Sequence, residues 1–182
     1  MVIVLMGVSG SGKTTVGKQL AADLGWKFVE GDDYHPPENV AKMAGGTPLT
    51  DADRRPWLKA LRQRIDAACA TDENIVVACS ALKHEYRDYL ERDDPACVRY
   101  VYLHGSEALF RERLESRKGH FMGANMLRSQ LEAMEPPVGE VTVDAAPPPD
   151  RIAADIRAKL GAPATPSAPV PASPAGSGCG PC

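Results

Sequence analysis

Eight residues near the start of the chain, Gly7-Val8-Ser9-Gly10-Ser11-Gly12-Lys13-Thr14, have the types and spacing of a phosphate-binding loop, entered from the apolar run Val2-Ile3-Val4-Leu5-Met6. Glycines at its two ends let the backbone turn tightly and aim several N–H groups at one anion. A helix starting near Lys13 adds its positive dipole end, Lys13 reaches the β- and γ-phosphates, and the Thr14 hydroxyl is placed to ligate Mg²⁺. The chemistry is nucleotide binding. The spacing alone does not separate a kinase from a molecular switch or a mechanical ATPase.

Three further clusters bear on that choice. The run Glu30-Gly31-Asp32-Asp33-Tyr34-His35 follows a short apolar segment, so its polar groups emerge at a strand's carboxyl end, where open α/β sheets bind ligands. Asp32 is the first candidate for orienting an acceptor hydroxyl. His35, ahead of Pro36-Pro37, is either a hydrogen-bond donor to substrate or a turn residue. Cys79-Ser80-Ala81-Leu82-Lys83 leaves a second strand at the same edge, and Ser80 with Lys83 suits a polar, anionic acceptor. The cations Arg111, Arg113, Arg117, Lys118 and His120 run into Gly119. Arg113 and Arg117, four apart, share a helix face, and a Gly-hinged lid carrying them over ATP would stabilise transition-state charge and exclude water.

The elements needed to hold these groups are legible as alternating short β-rich runs and helical stretches, the signature of an α/β fold with a central parallel sheet flanked by helices. Strands are expected at Val2–Met6, Lys27–Glu30, Ile75–Cys79, Val98–Leu103 and Val141–Asp144. Helices are expected at Lys13–Leu24, Arg54–Ala70, Glu85–Glu91, Ser106–Arg117, Asn125–Met134 and Asp150–Leu160. In the second helix Trp57, Leu58, Leu61, Ile65 and Ala68 repeat at helical spacing, while Arg62, Arg64 and Asp66 fall on the other face. Thr50 with Asp53 three residues on gives a capping-box start, and Pro56 is read as lying in the first turn.

Composition sets the outer bounds. The 182 residues are 43% hydrophobic and 25% charged, which suits one soluble domain, residues 1–160, with a buried core. A net charge of −3 provides no general attraction to nucleic acid. No apolar run approaches the roughly twenty residues of a membrane span, and strand and loop begin at once, so no membrane association and a cytoplasmic location are expected. Cys69, Cys79 and Cys97 read as buried free thiols. Residues 161–182 turn to Ala, Pro, Ser and Gly without charge or aromatic groups, which predicts a disordered tail, ending in Cys179-Gly180-Pro181-Cys182.

Neither an Asn-Lys-x-Asp nor an Asp-x-x-Gly motif occurs, which argues against a guanine-nucleotide switch. The chain is short for a mechanical ATPase and has no internal repeat. A small-molecule phosphotransferase remains. A nucleotide-dependent binding module that recruits a partner through its tail is the competing class, and cutting the chain after Leu160 separates the two.

As a set the residues resemble the gluconokinase family, relatives of shikimate and adenylate kinases. The resemblance rests on Met6 to Thr14, Gly31-Asp32-Asp33-Tyr34-His35-Pro36, Asn39 to Met43 with Gly46 to Asp51, and Asp53-Arg54-Arg55-Pro56-Trp57-Leu58. It continues through Cys79 to Lys83 with Tyr86-Arg87, Arg117 to Met122, and Ser129-Gln130-Leu131-Glu132 with Glu135-Pro136. It spans residues 2 to 160. It implies an adenylate/shikimate-kinase-like three-layer fold with a mobile lid, transfer of the ATP γ-phosphoryl group to the 6-hydroxyl of D-gluconate, Mg²⁺, and a homodimer. It implies that Lys13, Asp32 and Arg117 are catalytic and that Gly7 to Thr15, with Arg113 and Arg117, bind nucleotide. Asp32, His35, Arg54, Ser80 and Lys83 supply the hydrogen-bonding and cationic mixture that a polyol carboxylate needs. Glu30 stands where members of the wider group often carry an Asp, and would serve the metal through water beside Thr14.

Overall fold

The computed structural model describes residues 1–91, 96–116 and 124–161. Five strands, β1 (Val2–Met6), β2 (Lys27–Glu30), β3 (Ile75–Ala78), β4 (Val98–His104) and β5 (Val141–Asp144), form one parallel sheet in the order β2-β3-β1-β4-β5. The register pairs Val2 with Ile75 on one side and with Val98 on the other, so β1 is central. Every residue of β1 is buried. Its side chains alternate between two cores, Ile3 and Leu5 on one face and Val2, Val4 and Met6 on the other, as a strand covered on both sides requires.

The first face is covered by α1 (Lys13–Leu24), α5 (Glu107–Glu115) and α7 (Pro149–Leu160), which contribute Val16, Leu20, Phe110, Ile152 and Ile156. The second is covered by α3 (Asp51–Ala70) and α4 (His84–Glu91), through Trp57, Leu61, Ile65, Tyr86 and Leu90. The expected strands and helices are all present, with ends shifted by a few residues. Two short elements were not anticipated, a 3₁₀ turn at Gly31–Tyr34 and helix α2 (Pro37–Ala44). Both sit in a Pro- and Asp-rich stretch too short to display periodicity. Helix α6 (Ala124–Ala133) follows α5 and anchors Leu127 in the first core.

Three local expectations are corrected. The capping box at Thr50 and Asp53 forms, but it starts the helix at Asp51, so Pro56 lies inside the helix and not in its first turn. The carbonyl its ring faces is that of Ala52, one turn back. Arg62 is buried with the core face, because its guanidinium donates to the Tyr89 carbonyl and pairs with Asp66. Cys69 and Cys97 are not free thiols: they form a disulfide with Cα atoms 6.0 Å apart. Cys69 lies in the last turn of α3 and Cys97 just precedes β4, and both reach the amino edge of the sheet, an adjacency that a separation of 28 residues conceals. Cys79 remains free and buried, and desolvation pushes its thiol up to about 12.

Among the described residues no helix is long and apolar enough to cross a membrane. Arg117, Lys118, His120 and residues 162–182, hence the lid and nearly all of the expected tail, lie outside the described residues.

Candidate active site

The chain leaves β1 into the phosphate loop and re-enters helix at Lys13. Gly7 and Gly12 take φ of +144° and +96°, conformations that side chains with a Cβ rarely adopt, so both end glycines are needed. Lys13 folds over the loop it belongs to, its Nζ donating to the carbonyls of Gly7 (2.9 Å) and Val8 (3.0 Å). Its ammonium is thereby held against the loop backbone. The Thr14 hydroxyl donates to Glu30 Oε2 at 2.7 Å, joining the first turn of α1 to the end of β2. Burial pushes the Glu30 carboxyl above its ordinary range, with Asp32 adding to the rise and Thr14 and Lys13 opposing it. A half-buried carboxylate in that position gains from a cation, and with the Thr14 hydroxyl it is a fitting oxygen donor set for Mg²⁺.

Asp32 is carried by the 3₁₀ turn, and that turn is fixed from two sides. Gly31 packs so closely on β3 that a Cβ there would lie 2.3 Å from the Ala78 carbonyl oxygen. Its own carbonyl accepts a buried 2.8 Å hydrogen bond from Trp57 Nε1. Trp57 also stacks on His35, ring centroids 4.5 Å apart and planes within 12°. Asn39 Nδ2 lies 3.3 Å from His35 Nδ1 and donates to the Asp53 carbonyl at 2.8 Å, which ties α2 to the capped start of α3. Burial holds the His35 imidazole below its ordinary value, Arg54 adding to this and Asp32 opposing it. It is therefore a neutral ring at neutral pH.

Past β3, Ala81 takes a φ of +41°, unusual for a residue with a side chain. Buried Arg87 secures that turn by donating to the Ala81 and Leu82 carbonyls at 3.0 and 3.2 Å. The Ser80 carbonyl accepts from Gly7 N at 3.3 Å, fastening the turn to the phosphate loop.

These elements converge on one cleft at the carboxyl edge of the sheet, lined by Ser9, Lys13, Asp32, His35, Arg54 and Ser80 together with Trp57 and Gln130. Six residues singled out from sequence thus meet around one space. Lys83 does not line it. Its ammonium is held by both carboxylate oxygens of Asp51, at 2.9 and 2.8 Å. Asp51 also accepts from Tyr86 and lies 3.5 Å from Arg54, and it is this carboxylate that links Lys83 to the cleft. The hydrogen bonds from Lys83 and Tyr86 hold Asp51 below the usual carboxylate range.

A second groove of about 290 Å³ opens on the other side of the loop, between Gly12, Thr15 and Val16 of α1, Arg113 of α5, and Pro147 and Pro149 ahead of α7. Arg113 is pinned there by donating to the Ala145 carbonyl at 2.8 Å. Two larger hollows lie away from the phosphate loop, one beside α4 and Glu140, the other between α3 and Tyr89. Trp57, Asn39 and Gln130 were missed as site residues. Trp57 read as core because it fits the apolar repeat, and only the partner of its indole N–H reveals the second role. Asn39 stood four residues after His35, a helical spacing visible only to someone expecting α2.

A family model described as an AAA domain matches residues 2–137. A probable gluconokinase of Xenopus tropicalis is 49% identical over 75% of this chain and 80% of its own length. The chain belongs to the gluconokinase family. The crystal structure of a gluconokinase from Sinorhizobium meliloti 1021 superposes with a TM-score of 0.79 at 49% identity, covering 88% of this chain and 91% of that one. The fold extends beyond the family: a shikimate kinase from Aquifex aeolicus superposes with a TM-score of 0.62 at 16% identity, over 88% of this chain and 96% of that one. The nucleotide-binding kinase fold of this gluconokinase family member is thus the one its loop and strand pattern indicated.

Proposed function

We propose that this chain transfers the γ-phosphoryl group of ATP to the 6-hydroxyl of D-gluconate. The observation that carries the reading is the shared cleft, in which a phosphate-loop lysine and a strand-end carboxylate face the same space as Arg54, His35 and Ser80. Phosphoryl transfer is catalysed mainly by positioning and by charge stabilisation, and this set offers both. Lys13 neutralises charge on the transferring group. Asp32 orients the acceptor hydroxyl and draws its proton. Arg54 receives the acceptor carboxylate, while neutral His35 and Ser80 bond its hydroxyls. Lys83 acts from the rim by holding Asp51, which in turn steadies Arg54.

The nucleotide lies along Gly7 to Thr15 with its base toward the Arg113 groove, and Arg117 closes over the phosphates. Mg²⁺ would be held by Thr14, and through water by Glu30, and would supply charge neutralisation at the β- and γ-phosphates. The working form is a cytoplasmic homodimer, with residues 1–160 as the kinase domain.

Coupled ADP-release assays across gluconate, shikimate, AMP and glycerate test this directly. Gluconate-dependent turnover that falls severely in Lys13→Ala is expected. Turnover with another acceptor and none with gluconate would overturn the acceptor assignment and leave the kinase class intact.

A further inference from the structure

The His35 ring is held on two sides. Trp57 covers one of its faces, and its Nδ1 lies 3.3 Å from Asn39 Nδ2. A neutral imidazole donates from one nitrogen and accepts at the other, so the direction of the bond at Nδ1 decides what the rest of the ring can do. Asn39 settles that direction. Its side chain is only 5% exposed, and the same Nδ2 donates to the Asp53 carbonyl at 2.8 Å, in the capped first turn of α3. A carbonyl only accepts, so the end of the amide turned to Asp53 is the NH₂ and not the oxygen. That NH₂ carries two hydrogens and offers no lone pair. One hydrogen goes to Asp53 and the other to His35, whose Nδ1 must accept it.

We propose that Asn39 is a positioning residue that fixes His35 in the tautomer with its proton on Nε2, so that the ring presents the acceptor with a neutral hydrogen-bond donor. The inference rests on the phosphoryl-transfer reading above, in which His35 bonds the acceptor's hydroxyls. With Nδ1 and one face taken, the ring offers the cleft its Nε2 edge and its other face. Among the described residues Nε2 has no hydrogen-bond partner. An N–H there reads the lone pair of a hydroxyl or carboxylate oxygen and rejects an ammonium, which has none to give. The Asp32 carboxylate lines the same cleft and only accepts. A hydroxyl that reaches both groups fits in one sense, its proton toward Asp32 and a lone pair toward His35. The bond from Asn39 favours the uncharged ring, in the same direction as burial. The charged groups facing the ring are Arg54 of α3 and Asp32 of the 3₁₀ turn, and they oppose each other.

Long-range proton–nitrogen NMR of the isotope-labelled full chain tells the two imidazole nitrogens apart, and the His35 pair is the one lost in His35→Gln. At pH 7.5 the wild type should show a bare Nδ1 and a protonated Nε2. Asn39→Asp puts an acceptor where the donor stood, so Nδ1 should become protonated. Asn39→Leu keeps the site buried and deletes the bond. The proton affinity of His35 should then rise about 3- to 10-fold, the worth of one ordinary hydrogen bond to the neutral ring. Saturating gluconate should move the wild-type Nε2 resonance far more than that of Nδ1. A protonated Nδ1 in the wild type would overturn the proposal without any variant. So would an Nε2 unmoved by gluconate in a chain that phosphorylates it, or a wild-type nitrogen pattern and titration persisting in both Asn39 variants. Coupled ADP assays on the same samples keep the two readings apart. Turnover of another acceptor and none of gluconate would remove the acceptor assignment, while the nitrogen pattern still decides the role of Asn39.

Discussion

Replacing Trp57 with Phe isolates the tether that holds Asp32. The substitution keeps an aromatic ring in the core but deletes the indole N–H, whose buried 2.8 Å bond to the Gly31 carbonyl is the side-chain link between α3 and the 3₁₀ turn. An acceptor left unsatisfied in the interior costs about 1–3 kcal/mol. The smaller ring leaves roughly 40 Å³, which at about 24 cal/mol per Å³ adds about 1 kcal/mol. A total loss of about 2–4 kcal/mol is expected, a large share of the 5–15 kcal/mol that typically separates folded from unfolded chains. The functional cost is separate. A turn freed on one side lets the Asp32 carboxylate wander by up to about 1 Å, enough to lower turnover by roughly 10- to 100-fold. Nucleotide contacts lie on the loop and should hold KM for ATP within about two-fold. Urea denaturation gives the stability change and a coupled ADP assay gives the kinetics. Full turnover in a variant that had lost the expected stability would show that Trp57 supports the core without positioning Asp32. A stability loss under about 1 kcal/mol would refute the role of the hydrogen bond itself.

Asp32→Asn should lower kcat by at least 100-fold while leaving nucleotide affinity within about two-fold; lost affinity would assign Asp32 to the nucleotide site. His35 supplies a pH test. Its folded value is depressed by burial, so the native state binds fewer protons than the unfolded chain. The stability it contributes is full above its ordinary value near 6.5 and is lost as pH falls through the folded value. Urea midpoints from pH 7.5 to 5 should fall faster for the wild type than for His35→Gln, and parallel curves would contradict the sign. Reducing the Cys69–Cys97 bond, which spans 28 residues, should cost roughly 3–4 kcal/mol by loop-closure entropy. A thermal melt unchanged after titration confirms two new thiols would refute that contribution.

Much of the fold was legible because its signals are local. The run Val2–Met6 reads as a buried strand, the loop after it as a phosphate cradle, and the repeat from Trp57 to Ala68 as a helix, each from neighbours a few residues apart. Where the physics was long-range, sequence reading fell short. Cys69 and Cys97 looked like separate thiols because nothing local says that the end of α3 meets the start of β4. Arg62 looked solvated because its partner, the Tyr89 carbonyl, belongs to another helix. The pair between Lys83 and Asp51 was invisible because its two members stand 32 residues apart.

The sequence by itself determined the nucleotide loop, the parallel sheet beneath it and the kinase family, since each depends on residue types at fixed short spacings. Tertiary structure decided which polar residues share a cleft. The β2-β3-β1 register brings Asp32 and Ser80 beside Lys13, the Trp57 indole fixes the turn between them, and Gln130 arrives from α6 to seat an oxygen on the Ser9 amide. Such contacts follow from packing directions and register, quantities that are fixed only when distant segments bury their apolar faces against one another.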